Sequence, residues 1–492
     1  MILNGNRIEE VGSGECDFDG QKIDLQGKLV LPGLHDSHIH SYSYGRSKSR
    51  LNLHDTSSIE ELQERLRQYN TDSEWIIGHG WDQDEMKEGR YPTTSDLDQV
   101  VADKPVLLYR ACNHIGVVNS KALALMQINR NTEDPEGGQI DRETSGKPTG
   151  ILREEALSLV APYIEHLDNE QRMRYYKTGL ETCLEKGLTA IHTNDAQAWK
   201  YYAELAETEQ LPIRVFLTLK YSDFEKEQYL PEFNEQRDLL TCRRVKLFAD
   251  GSLGAETAAL RENYRGLDHR GILIDQPEIL AKKIQDIHDR GYQLEIHAIG
   301  DYAAEVVMDG YDAAGIQQED RAIITHCQVL AKDLVSRMAN SGYIANVQPP
   351  FVPTDARWAE KRLGATRLDY AYAWKTLMDH DVVVAGGSDA PIEDADPFWG
   401  IYCAMIRPDP EGKSWLTHEC LTVDEAIEIY TKNGAYAVGM EDELGQLKPG
   451  YLADFTIVNP EILDQPEILR EEPLYEVWVD GICRFHNGRY KE

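Results

Sequence analysis

The chain has 492 residues, enough for one large domain with a smaller body beside it. Its 85 acidic residues outnumber 51 basic ones, for a formal net charge of −34, a field that repels phosphate backbones and argues against nucleic acid as a partner. The eight cysteines (Cys16, Cys112, Cys183, Cys242, Cys327, Cys403, Cys420 and Cys483) show neither zinc-finger spacing nor a dense disulfide framework, and read as free thiols of a reducing cytoplasm.

The start, MILNGNRIEE, has no basic segment and no apolar run of the signal-peptide kind. No apolar stretch reaches the roughly 18 residues of a membrane span, so no membrane association is expected. MILNG and QKIDLQGKLV have strand character but are too few to bury a face alone. LVLPGLHDSHIH (29–40) then opens a series of short, β-branched apolar runs: LTAIHT (188–193), IRVFLTL (213–219), RVKLFAD (244–250), QLEIHAIGD (293–301), AIITHC (322–327), YIANVQ (343–348) and VVVAGGSD (382–389). Helical segments such as LAKKIQDIHDR (280–290) and LAKDLVSRMAN (330–340) separate most of them. Strand alternating with helix predicts a parallel sheet, and eight strands close a (β/α)8 TIM barrel over 31–439.

The stretch 41–186 is too long for a structureless βα connection. It carries its own strands, WIIGHGWD (75–82) and PVLLYRA (105–111), and a helix, SIEELQERLRQYN (58–70), capped by Ser57 or Ser58. It reads as an inserted lobe at the barrel mouth, after the first strand. At the other end, ADFTIVNP (453–460) and VWVDGICRFHNGRY (477–490) complement the N-terminal strands. Together, 1–30 and 440–492 are expected to make a small β-sandwich.

The candidate chemistry lies at strand ends. His38 and His40 close the first strand at i and i+2, so both imidazoles face the same way and can reach one ion. Lys246 interrupts the apolar fourth strand, and a buried ammonium requires a partner or a modification. His297 and His326 end the fifth and sixth strands, and Asp389 ends the eighth within GGSDAP. Each alone has a plainer reading: a satisfied core histidine, a solvent-facing lysine, a turn aspartate. All of them fall where active sites of this fold gather, which points to a metal centre.

These residues, with their surroundings, resemble the amidohydrolase superfamily, and more narrowly amidohydrolase family 3, the group that contains N-substituted formamide deformylases. The matching pieces are PGLHDSHIH (32–40), VKLFADGSLGAETAAL (245–260), HAIGD (297–301), ITHCQVL (324–330), RLGATRLDYAYAW (362–374) and GGSDAPIEDADPFWG (386–400). Pieces of the insertion, such as HGWDQD (79–84), and of the tail, such as LGQLKPGYLADFTIV (444–458), match as well. The N-terminal β segment is shorter than is usual for the family, and His35 stands where an apolar residue is more common.

The resemblance implies one or two divalent ions, zinc above all. His38, His40 and Asp389 would hold the more buried ion and His297 and His326 the second, with Lys246 carboxylated by carbon dioxide to a bridging carbamate. It implies a hydrolase acting on a carbon–nitrogen bond, a non-peptide amide or formamide of a small molecule, through a metal-activated hydroxide, with Asp389 moving the proton. The alternatives are ester hydrolysis, decarboxylation or isomerisation at the same centre, or a non-catalytic paralogue of the scaffold. His114 in the insertion is a candidate substrate contact. Trp81 is either a pocket wall or lobe core. His35 reads as structural, Asp301 as an organiser of the loop after the fifth strand, and Cys327 as pointing away from the metal. A homodimer is the default assembly.

Overall fold

Eight parallel strands form one continuous sheet in chain order: β1 (Leu34–Ile39), β2 (Leu188–Thr193), β3 (Arg214–Lys220), β4 (Leu240–Phe248), β5 (Gln293–Ala298), β6 (Ile323–His326), β7 (Ile344–Val347) and β8 (Val384–Gly386). The last strand returns to the first through backbone bonds. Asp389 N–H donates to the His38 carbonyl at 2.8 Å and His40 N–H to the Ala390 carbonyl at 2.9 Å. The fold is therefore the (β/α)8 barrel, seen in a computed structural model that describes residues 1–14, 19–71, 73–110, 115–135, 137–164, 168–226, 236–237, 239–471 and 473–488.

The strands are near-continuous runs of buried residues because helices cover the outer face while side chains fill the inside; all six residues of β1 and of β2 are buried. The helix Pro277–Asp289 shows how the outer layer forms. Proline opens it at its first turn, and Leu280, Ile284 and Ile287 make one buried stripe. Gly310 in the next helix, Asp301–Ala313, lies so close to Ile284 that an added Cβ would come within 2.5 Å of its Cδ1, so glycine lets the two helices pack.

The segment Gly45–Thr178 is a compact unit of its own. Its six-stranded sheet has the order 51–52, 76–81, 106–110, 115–118, 148–154, 138–142. Alternate residues feed two separate cores. Val106, Leu108, Val117 and Ile151 join one cluster, whereas Leu107, Val118 and Leu152 join the other. Its first long helix spans Ile59–Gln68. Ser58 is the cap, accepting from the Glu61 N–H, and Ser57 instead donates its hydroxyl to the Glu61 carboxylate.

The chain ends meet in a four-stranded antiparallel sheet of order 482–486, 474–479, 455–458, 29–32, with a separate hairpin of 2–4 and 7–10. A buried ion pair ties this sheet to the barrel. Arg214 of β3 donates to Asp454 at 2.6 and 3.1 Å and to Asp480 at 2.8 Å. Among the described residues no helix is long and apolar enough to cross a membrane, and Cys327, Cys403, Cys420 and Cys483 are free thiols.

Candidate metal centre

The C-terminal ends of β1, β6 and β8 bring three donors together. Ligand atoms of His38, His326 and Asp389 all lie within 4.8 Å of one another, and all three residues are buried. His40, immediately after β1, joins them: its Nε2 is 3.2 Å from Asp389 Oδ1, and His38 Nε2 is 3.5 Å from the same oxygen. The His297 ring lies 4.5 Å from that of His326, centroid to centroid. Its Nε2 faces the Gly251 carbonyl at 2.9 Å, which leaves Nδ1 as its other donor. Lys246 Nζ is 2.9 Å from Glu295 Oε1 and 5.7 Å from the centre of the Phe248 ring.

The local backbone is held in unusual shapes to achieve this. His326 (φ 82°), Cys327 (φ 47°) and Asp389 (φ 58°) all occupy the left-handed region, which costs non-glycine residues about 1–3 kcal/mol each. Asp36 clasps the two ligand-bearing ends. It accepts from His38 N–H and Ser388 N–H, both at 3.1 Å, and from the Ser388 hydroxyl at 2.6 Å. Burial pushes its carboxyl up to about 7, opposed by these bonds. Gly387 is required by the same closeness, since a Cβ there would meet the His38 nitrogen at 2.6 Å.

The second nitrogen of each ligand-bearing ring has its own partner. His326 Nδ1 is 2.7 Å from Gln348 Oε1, His40 Nδ1 is 2.6 Å from the Asn194 carbonyl, and His38 Nδ1 is 2.9 Å from Glu295 Oε1. The His38 contact is bent away from the line of an ideal N–H bond, so proximity, not bond quality, defines it. The acceptors beside His326 and His40 place a proton on Nδ1 of each. Nε2 of His326 is thereby left for an ion, whereas Nε2 of His40 faces the Asp389 carboxylate; burial lowers the His40 pKa, but the hydrogen bond to Asp389 and its charge outweigh that and raise it.

Burial first, then the positive charge of Lys246, pulls the His38 and His297 pKa values down, His297 to about 4; His326 is lowered by burial and by His297. These rings are neutral and able to ligate at neutral pH. Burial opposes ionisation of Asp389, but the His40 hydrogen bond and the neighbouring imidazoles outweigh it and hold the carboxyl below its usual range.

Below the donors lies a charged floor. Glu295 Oε1 faces Lys246 and His38 and accepts from Thr325 at 3.3 Å; Oε2 accepts from Thr218 at 3.1 Å and Arg244 at 3.3 Å. Arg244 also donates to His192 Nδ1 at 2.9 Å. Arginine has no acceptor. His192 therefore carries its hydrogen on Nε2, which donates to His35 Nδ1 at 3.3 Å. His35 is accordingly a buried neutral base facing away from the metal donors, and burial lowers its pKa to about 3.

Of the other sequence candidates, Trp81 is fully buried in a core cluster of the lobe, its indole N–H donating to the Leu108 carbonyl at 2.9 Å. His114 lies outside the described residues. Asp301 accepts from the Arg261 N–H at 2.9 Å, fastening the loop after β4. Cys327 is buried with its sulfur toward the Ile324 carbonyl, and burial raises its thiol pKa. Glu295, Arg244 and His192 had escaped notice. Glu295 precedes His297, and Arg244 precedes Lys246, by two residues, so strand alternation was the available signal.

Comparison with known proteins agrees with this architecture. The sequence profile of the amidohydrolase family matches residues 21–485. Amidohydrolase YtcJ of Bacillus subtilis (strain 168) is 34% identical over 466 residues, 92% of this chain and 87% of the relative. The N-substituted formamide deformylase of Arthrobacter pascens is 26% identical over 99% of this chain and 94% of its own. A crystal structure of an uncharacterized metal-dependent hydrolase from Pyrococcus horikoshii OT3 superposes with a TM-score of 0.75 at 32% identity, covering 90% of this chain and 89% of that one. The chain belongs to the amidohydrolase family.

Proposed function

We propose that this chain is a metal-dependent hydrolase that cleaves a carbon–nitrogen bond in a small amide or formamide. The observation that carries the reading is the buried trio His38, His326 and Asp389, with donor atoms within 4.8 Å of one another. The donor set fits a divalent ion of the zinc type, because mixed imidazole and carboxylate ligands suit it and the remote nitrogens of His326 and His40 already face acceptors. The metal-dependent hydrolase of Pyrococcus horikoshii and the deformylase relative support the same reading.

His38, His40 and Asp389 would hold one ion and His297 with His326 a second; His326 stands between the two sets, near His38 and Asp389 on one side and His297 on the other. When bound, such an ion supplies Lewis acidity that polarises a carbonyl and makes water acidic near neutral pH. The chain's own contribution is orientation and proton handling. Asp389, kept ionised by its histidine neighbours, accepts the proton of the attacking water on a carboxylate oxygen and returns it to the departing nitrogen. A carbamate on Lys246, which the resemblance implies, would set a second anion beside Glu295, so it requires that the ion pair, which here buries the lysine as an ammonium, first be given up.

The test is a panel of amides, formamides and esters assayed with the zinc-loaded protein and with the His38→Ala/His40→Ala double variant. Amine release is expected from the wild type. Loss of bound metal in the variant should accompany a fall in kcat/KM of about a thousandfold or more, the several kcal/mol that a Lewis acid contributes. Full activity in a metal-free double variant would defeat the proposal.

A further inference from the structure

Four rings follow one another across the ends of the neighbouring strands β4 to β7. Phe248, the last residue of β4, lies 5.4 Å from His297; His297 lies 4.5 Å from His326; and His326 stacks on Phe351 at 6.3 Å with the planes 20° apart. The two imidazoles are in the middle and the two phenyl rings are at the ends. Each phenyl has a reason to be there. Phe248 is two residues beyond Lys246, so strand alternation puts it on the same inner face, and it is in register with His297. Phe351 closes the turn Pro349–Phe351 after β7, and Gln348 just before it holds His326 Nδ1.

The arc is open at one end: Phe248 is 39% exposed, Phe351 and His297 are half-buried, and His326 is buried. A large aromatic left open beside a cluster of metal donors is uncovered apolar surface at the one place where a small molecule must sit for the proposed reaction. Covering it is favourable in proportion to the area removed from water, and flat rings add the geometric preference of aromatic pairs. Nothing in the ion's chemistry requires these rings, since neither offers a donor atom.

Building on the hydrolase reading, we infer that Phe248 and Phe351 are specificity residues and that the substrate carries a flat apolar group, an aryl ring above all, attached close to the bond that is cut. The carbonyl lies at the imidazoles in the middle of the arc, and the aryl group lies against a phenyl at its end.

Binding of benzohydroxamate and acetohydroxamate to the zinc-loaded protein, by calorimetry, isolates this inference from catalysis. Both probes present the same chelating group and differ only by phenyl for methyl. The wild type is expected to bind benzohydroxamate about tenfold more tightly, the scale of a well-placed aromatic contact. Phe248→Ala and Phe351→Ala should each shrink that ratio roughly threefold or more while changing the acetohydroxamate Kd by less than about twofold. Phe248→Leu and Phe351→Leu, which keep volume but lose the flat face, should reduce the ratio in the same sense and cover the case in which truncation unfolds a loop. Equal affinities in the wild type, or a ratio that no variant alters, would overturn the inference. Amine release from N-benzylformamide reads the hydrolase proposal separately. Ring-selective binding without any hydrolysis would count against that proposal and sustain this one, and hydrolysis indifferent to the ring would do the reverse.

Discussion

In the insertion lobe, ion pairs keep at least one foot in water. Arg110 pairs with Asp82 at 2.7 Å and Arg153 with Asp141 at 2.8 Å, all partly exposed, and the buried Asp96 is met by a half-exposed Arg90 at 2.8 Å, while an apolar cluster packs on each face of the sheet. In the barrel, Arg244, Lys246 and Glu295 are sealed inside, with side chains at most 2% exposed. Charges in water are inexpensive to hold and contribute little, whereas sealed charges are costly unless every one is matched. The lobe is built for stability by ordinary packing. The barrel floor accepts an expensive arrangement because it holds the ligands above it.

Three measurements would break or sharpen that contrast. Glu295→Ala removes the carboxylate that Lys246 and Arg244 share in the floor. It should destabilise the protein by about 3–5 kcal/mol in urea unfolding, and the paired change Lys246→Met/Glu295→Leu should cost less than the single one. A single variant within about 1 kcal/mol of wild type would show that the floor charges are not interdependent.

The His35→Asn variant probes the neutral end of the network. Unfolded, a histidine takes up a proton as the pH drops below about 6.5, whereas folded His35 stays neutral down to about 3. The unfolded state therefore binds more protons across that window. His35's contribution is complete above about pH 6.5 and is lost progressively as the pH falls toward the folded value. Between pH 7 and 5, wild type should lose about 2 kcal/mol more than the variant. Parallel pH profiles would contradict a buried neutral His35.

Arg153→Ala in the lobe should change the unfolding free energy by about 1 kcal/mol or less, and less again at high salt. A loss as large as that of Glu295→Ala would erase the distinction between the two regions.

The barrel was legible because each strand is a short apolar run ending in a polar residue, and because His38, Lys246, His297, His326 and Asp389 are polar exceptions in such runs. Glu295 was not legible for a specific reason. In QLEIH it looks like the solvent-facing member of an alternating strand, yet inside a barrel the alternate positions face the interior, and Glu295 shares its face with His297. Phe248 was hidden the opposite way, as one more apolar residue in an apolar run, although it is the exposed one. Register across strands, which places Lys246 beside Glu295 and Phe248 beside His297, depends on pairings between residues far apart in the chain and cannot be read from one segment. Gly387 and Ser388 likewise resembled an ordinary turn, and only the approach of Asp36 and His38 shows what they accommodate.

The Arg214 cluster carries a consequence for how the molecule can be divided. The cation belongs to β3, but Asp454 and Asp480, which neutralise it, both come from the last segment of the chain. Ending the polypeptide after the final barrel helix would strand a guanidinium in an apolar seam with no counter-ion. The barrel is thus not a detachable module: its third strand is completed by residues more than two hundred positions downstream.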